Sequence, residues 1–435
     1  MSALQEDEST EPPSADSVTA RLDEILEELV AVVADKGTVS DAARIDRIAR
    51  LERLRAVTAA AQAAESVRFA QSQVAEQIAA DVHPDAIGRG IAEQIGLACR
   101  VSPFTAARRL KTARAWWFEL PDTFSQLVAG ELHERVAETV VTETRHLDPD
   151  KRRNVDRKLK VAGIAGMGFK AATGCARKTA YEADRQGFVS RGRTERRHRR
   201  VGIRCAPDTM AFLSGYLPVE QGVACYAALR QHADAAVATG DERTRDQIMA
   251  DILVERITGQ TSAADVNVEL QLMMPLDALT DPDKPSTATI PGYGPLPSEL
   301  ARDILANSQG LKWWRRLFTA PQSPTGNPGP LVGGDPIRRL FDGWLAKLIK
   351  LRDQTCRNPY CEAPIRHIDH ITRHSDGGRT TFDNGRGTCA RCNYAREMPG
   401  WHVRVIEFGL DSRPHTIHIT TPTGHHYLSR APDPP

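Results

Sequence analysis

Four of the chain's eight cysteines fall in two close pairs, Cys356 with Cys361 and Cys389 with Cys392, and this limits the possible folds more than any other feature. Spacings of C-x4-C and C-x2-C gather four thiolates in the way tetrahedral zinc requires. Between the pairs lies a short, polar stretch with few large apolar residues. Such a segment cannot bury a core of its own and needs a staple. Structural zinc contributes about 10–16 kcal/mol in small modules, enough to fold one. The sequence therefore predicts a zinc-stapled C-terminal unit with Cys356, Cys361, Cys389 and Cys392 as ligands, against chance clustering as the alternative. Cys99, Cys175, Cys205 and Cys225 are scattered and read as buried free thiols.

Close cysteine pairs signal metal where the compartment is reducing. The N-terminus, MSALQEDESTEPPSAD, is acidic and lacks a charged-then-apolar signal pattern, and no apolar run approaches a membrane span. The expectation is a cytoplasmic protein with no membrane partner. A chain of 435 residues with 41% hydrophobic content can build two or three domains with real cores. A net charge of +1 excludes a polycation, so any nucleic-acid role must rest on local basic surface.

Residues 1–16 read as a disordered tail. A helix is expected from Ser17, with Leu22, Ile25, Leu26 and Leu29 on one stripe, and a long one from Ser40-Asp41 to about Val82. The stripe of the long helix needs a partner helix, and these N-terminal helices are candidates for self-association or a protein partner. Within "IGLACRVSPFTAARRLKTARAWW", a turn at Val101-Ser102 and Pro103 at a helix start read either as a DNA-reading helix-turn-helix, with Arg108, Arg109, Lys111 and Arg114 exposed, or as a helical hairpin with a solvated basic face. The arginine-rich 185–204 reads either as a phosphate-contacting run or as a solvated linker. A hairpin turning at Pro207-Asp208, two helices near 219–239 and 242–259, and a strand at 266–275 follow. Residues 321–336 are rich in proline and glycine and read as a linker. An amphipathic helix then leads into the cysteines, and "HVRVIEF" with "HTIHIT" read as a final strand pair.

The segment between the cysteine pairs, "RHIDHITRHSDGGRTTFDN", holds Asp369-His370 in a short alternating strand, then a glycine-containing loop ending at Asn384. Asn393 directly follows the last cysteine at the start of a helix. This order of Asp369-His370, Asn384 and Cys389-x-x-Cys392-Asn393 resembles the HNH nuclease motif over residues 352–400, with asparagine in place of the third histidine. The stretches "CRNPYCEAPIRHIDH", "CNYAREMPGW" and "TPTGHHYLS" resemble the actinobacterial repetitive-element HNH endonuclease family, which joins a long N-terminal domain of unknown function to a C-terminal HNH module.

That resemblance implies a strand, a loop, a second strand and a helix around a divalent ion. It implies cleavage of DNA, double-stranded by preference, to a 5′-phosphate and a 3′-hydroxyl. Phosphodiester hydrolysis needs acceleration of up to roughly 23 kcal/mol, and a general base supplies only about 10²–10⁴-fold, so an ion must carry much of the load. His370 is expected as general base, and Asp369 and Asn393 as oxygen ligands of a catalytic Mg²⁺ or Mn²⁺. Asn384 would brace the loop. His367 shares a face with Asp369 and reads as an outer partner, a third ligand or a structural histidine. His374 lies in the loop, and Arg373 and Arg396 read as phosphate contacts or solvated side chains. Arg366-His367 stands where a typical motif often has another acid or histidine before the Asp-His pair, which leaves the ion's coordination open. The expected fold class is α+β. It comprises a mostly helical N-terminal region with a small β-containing middle part (17–320), the linker (321–336), a ββα-metal module (337–405), and a strand pair with tail (406–435). The competing reading is a zinc-stapled nucleic-acid-binding protein whose HNH module is inactive.

Overall fold

The computed structural model describes residues 17–34, 37–208, 210–259, 287–290, 294–307, 341, 343–409 and 413–432. The strand expected at 266–275 and the linker at 321–336 lie outside them. Contacts divide the chain into two units, residues 1–55 and 56–435. In the first, helix α1 spans Ser17–Ala34 and α2 begins at Asp41, with the Ala43 amide donating to Ser40 Oγ at 3.3 Å. The expected apolar stripe is exposed: Leu22, Ile25 and Leu26 on α1, and Ile45 and Ile48 on α2.

In the second unit α2 continues to Ala79 and turns buried. Ala56, Ala60, Ala63 and Val67 recur at spacings of four, three and four, which puts them on one helical face. They join one buried cluster with residues of α4 (Pro103–Glu119), α5 (Pro121–Val128), α6 (Glu134–Thr144), α7 (Pro149–Val161) and α8 (Phe169–Ala183). Trp116, Leu120, Leu127, Leu132, Val140, Leu159 and Ile164 fill the core between them. Each such large side chain contributes about 1.5–3 kcal/mol on burial. Polar ties fix the angles. Asp156 on α7 accepts from the Asp122 and Thr123 amides at the start of α5, at 2.7 and 3.1 Å. The short helix α3 (Ile91–Ala98) precedes α4, whose start is capped by Ser102 Oγ accepting from the Thr105 amide, with Pro103 first in the helix. Arg108, Arg109, Lys111 and Arg114 are exposed on α4.

Helix α9 (Arg185–Glu195) leads into an antiparallel ribbon, β1 (Arg200–Cys205) with β2 (Ala211–Tyr216). Helices α10 (Val219–Ala238) and α11 (Arg245–Thr258) follow as expected, then a small hairpin, β3 (Thr287–Ile290) with β4 (Gly294–Pro297), and α12 (Ser298–Asn307). Cys205 and Cys225 correct an expectation: both are exposed, since β1 leaves both faces open and α10 buries only Ala233.

The C-terminal region contains α13 (Gly343–Asp353), the hairpin β5 (His367–His370) with β6 (Gly385–Thr388), and α14 (Ala390–Arg396). A sheet in the order β7 (His402–Glu407), β8 (Thr416–Thr420), β9 (His426–Arg430) follows. The expected final strand pair is thus three strands. The third was obscured because β9 exposes Leu428 and half-buries Tyr427, so its polar-apolar alternation is weak. This sheet packs directly on α3. Leu97 of α3 shares a buried cluster with Ile371, Met398, Trp401, Ile417 and Ile419. Glu93 pairs with Arg391, and Gln94 Oε1 accepts from Thr423 Oγ1 at 3.0 Å. Gly90, at φ +84°, caps α3 where any side chain would press on the Trp401 indole.

Candidate active site and metal centre

The cysteines come together as the spacing requires. Cys356, Cys361, Cys389 and Cys392 are buried, with their Sγ atoms all within 4.8 Å of one another. Cys356 and Cys361 sit on a tight knuckle: the Cys361 amide donates to Asn358 O at 3.1 Å and the Cys356 amide to Ala363 O at 2.9 Å. Cys389 caps α14, its Sγ accepting from the Cys392 amide. Thiols packed so closely perturb one another. Hydrogen bonds, those with Cys356 first, push Cys361 and Cys392 up and draw Cys389 down. Such a set ionises fully only around a cation, and four soft donors in this geometry suit zinc. Among the described residues it is the one cluster of three or more metal-type side chains.

Beneath the knuckle lies an ionic core. Asp353 is fully buried; Arg352 Nε and Arg357 Nη1 donate to it at 2.7 and 2.8 Å, and the Gly387 amide at 2.6 Å. Burial alone would raise this carboxyl, but the two arginines overcome it and hold it at about 2. Arg352 also donates to Phe382 O and Gly385 O, at 2.7 and 2.6 Å, so α13 grips both ends of the 382–385 turn. Arg357 reaches His415 O and Ser429 O, tying in β8 and β9. His415 is buried, and desolvation, aided by Arg352 and Arg357, lowers it to about 3.

On this base stands the Asp-His strand. The His370 Nε2 atom lies 2.9 Å from Thr380 Oγ1, and its ring packs 4.4 Å from Phe341 and 5.8 Å from His374. Burial lowers the His370 imidazole from its ordinary value, against the pull of Asp369. Asn384 bridges the loop that follows: its Oδ1 accepts from the Thr372 amide at 2.7 Å, and its Nδ2 donates to Thr372 O and Arg379 O at 3.0 and 2.7 Å. Gly378 lets the loop close, since a Cβ there would overlap the Thr372 carbonyl.

Asp369 stands opposite Arg386 in the strand register. Its Oδ2 accepts from Arg386 Nη2 at 3.0 Å and from Arg396 Nη1 at 2.7 Å. These bonds all fall on Oδ2, which leaves Oδ1 for another partner. Asn393 Oδ1 accepts from Thr388 Oγ1 at 3.3 Å, and the link between Asp369 and helix α14 runs through Arg396. One carboxylate oxygen and one amide oxygen are the donor types that a hard ion takes. His367 is half-buried with its ring 6.1 Å from Tyr394, and His374 is exposed.

Arg396 corrects an expectation. It is neither solvated nor free for phosphate but 5% exposed, and it binds Asp369 and the His370 and Ile371 carbonyls that end β5. A guanidinium with five donors can satisfy all three acceptors at once. Arg373 is half-buried and lies 3.6 Å from Glu397. Thr380, Arg386 and Phe341 were not singled out from the sequence. Reading 385–388 as the strand partner of 367–370 would have placed Arg386 against Asp369; Thr380 carries no such signal.

Residues 48–316 match the family described as Domain of unknown function (DUF222), and residues 354–397 match the HNH endonuclease domain. The first match spans more than half of the sequence, so the chain belongs to the DUF222 family, and its C-terminal HNH endonuclease domain supports a nuclease. No curated protein and no solved structure matches it. No helix among the described residues is long and apolar enough to cross a membrane.

Proposed function

We propose that the protein is a divalent-ion-dependent endonuclease that hydrolyses phosphodiester bonds in double-stranded DNA, with His370 as general base. The observation that carries this reading is the placement of His370. Its ring is held between Thr380 and Phe341 at the edge of a loop that Asn384 bridges. Fixed orientation of the base is what proton transfer in the transition state demands. In this reading His370 takes a proton from water as the water oxygen bonds to phosphorus. The P–O3′ bond breaks, and the leaving oxygen gains a proton from solvent, giving a 3′-hydroxyl and a 5′-phosphate. Asp369, through Oδ1, and Asn393 would hold the ion, which when bound stabilises charge on the phosphate and the leaving oxygen. Arg396 keeps Asp369 and the end of the His370 strand in place, and the four cysteines hold zinc.

The test is nicking of supercoiled plasmid with and without Mg²⁺ or Mn²⁺, beside a His370→Ala variant matched for zinc content. Ion-dependent cleavage should fall by 10²-fold or more in the variant. One observation favours the second reading, a nucleic-acid-binding module without catalysis: Arg386 and Arg396 already neutralise Asp369. Folded, zinc-loaded protein that binds DNA but cleaves under neither ion would select it.

A further inference from the structure

The β1–β2 ribbon is exposed along its whole length, yet its two faces differ. Side chains two apart on a strand share a face, and cross-strand partners lie on the same side. Arg200 pairs with Tyr216 and Arg204 with Phe212, so one face carries two arginines and two aromatics with only Gly202 and Ser214 between. The other face carries Val201, Ile203 and Leu213. On the first face the Arg200 guanidinium stacks 4.6 Å over Tyr216, and Arg204 4.1 Å over Phe212. Tyr216 Oη donates to Glu195, which Arg145 also holds, so the face is tied to the helices at one end.

The surrounding charge is predominantly positive. Residues 185–216 hold eight arginines and two acids, Glu195 and Asp208. Glu195 is already paired, and so is nearby Glu220, with Arg196 at 2.6 Å. Arg193, Arg197 and Arg204 have no carboxylate partner among the described residues.

The geometry points to the arginine–aromatic face of this ribbon as a docking surface for double-stranded DNA, an inference that rests on the nuclease reading above. The major groove admits a two-stranded ribbon and is roughly 12 Å wide. Arg200 and Arg204, four residues apart on one strand, are separated by about 13 Å, enough to reach both walls of the groove. Stacking pre-orients each guanidinium, so less side-chain freedom is lost when it meets a phosphate.

The experiment measures binding of the full chain to a fluorescein-labelled DNA duplex across a salt series without added divalent ion, so that cleavage does not enter. The Arg200→Gln/Arg204→Gln double variant should bind at least 10-fold more weakly. Its slope of log K against log salt should be shallower by about 1.8, the loss of two phosphate contacts. Arg200→Lys/Arg204→Lys keeps both charges and should keep the slope, and far-UV circular dichroism checks that each variant folds. Unchanged affinity and slope in the Gln variant would overturn the ribbon while leaving the nuclease reading, tested by plasmid cleavage, untouched. Failure of the wild type to bind duplex DNA would also overturn it, as would arginine-dependent binding confined to an RNA duplex.

Discussion

The helical core holds Trp116, Leu120, Leu127, Leu132, Leu159 and Ile164, whereas the cysteine region buries Arg352, Asp353, Arg357, Arg386, Arg396 and four thiols. Helices α4–α8 are held chiefly by area removed from water, a non-directional force that tolerates adjustment. The cysteine region has a small apolar cluster around Leu345, Leu348, Ile349 and Phe382, and relies on directional cross-ties between short elements. Ion pairs and metal ligands fix positions closely but fail abruptly when a partner is lost. The region that carries His370 is therefore the one built from directional bonds.

Stripping the metal is the strongest way to break that contrast. Chelation, or Cys392→Ser, should remove on the order of 10–16 kcal/mol from the cysteine region. Limited proteolysis should then cut within 356–430 while 103–183 stays protected. Equal resistance before and after chelation would mean that the ionic core holds the region without metal.

A paired substitution sharpens the comparison at a smaller scale. Asp353→Asn strands Arg352 and Arg357 in a buried site and should cost about 3–5 kcal/mol in urea unfolding, with loss of bound zinc. Leu159→Ala in the helical core should cost about 2–5 kcal/mol and leave zinc content unchanged. Zinc loss in the second variant would show the two regions to be one cooperative unit.

Acid acts gradually, with opposite sign in the two regions. His415 sits at about 3 in the folded chain, against about 6.5 when unfolded. Between those values the unfolded chain binds a proton that the folded chain refuses, so its contribution to stability declines as pH falls from 6.5 towards 3. The slope is at most about 1.4 kcal/mol per pH unit. Burial raises Asp156 in the helical core, so its contribution grows as pH falls through that raised value. Unfolding monitored separately in each region from pH 7 to pH 4 should show the cysteine region weakening first, and His415→Gln should remove most of the difference.

Much of this was legible in the residues. The cysteine spacing located the thiol cluster, the Asp-His, Asn and Cys-x-x-Cys-Asn order located the strand, loop and helix beside it, and the Ser102-Pro103 pair located the start of α4. These are local signals, carried within a few residues. What escaped was set by partners distant in sequence. Arg396 looked like a surface arginine because nothing nearby reveals that the strand end at 370–371 offers it two carbonyls. The docking of α3 joins Glu93 to Arg391 and Gln94 to Thr423, pairs about 300 residues apart. Strand β9 was missed because its weak alternation becomes intelligible only beside β8.

The seating of Leu97 beside Trp401, with Glu93 against Arg391, bears on how such a protein can be rearranged. An HNH module transplanted from another chain would meet α3 with its own residues at positions 391, 401 and 423. Unless these complemented Glu93, Leu97 and Gln94, the graft would leave a buried carboxylate without a counter-charge and an apolar helix face in water. The two regions are therefore expected to exchange as a matched pair and not as independent parts.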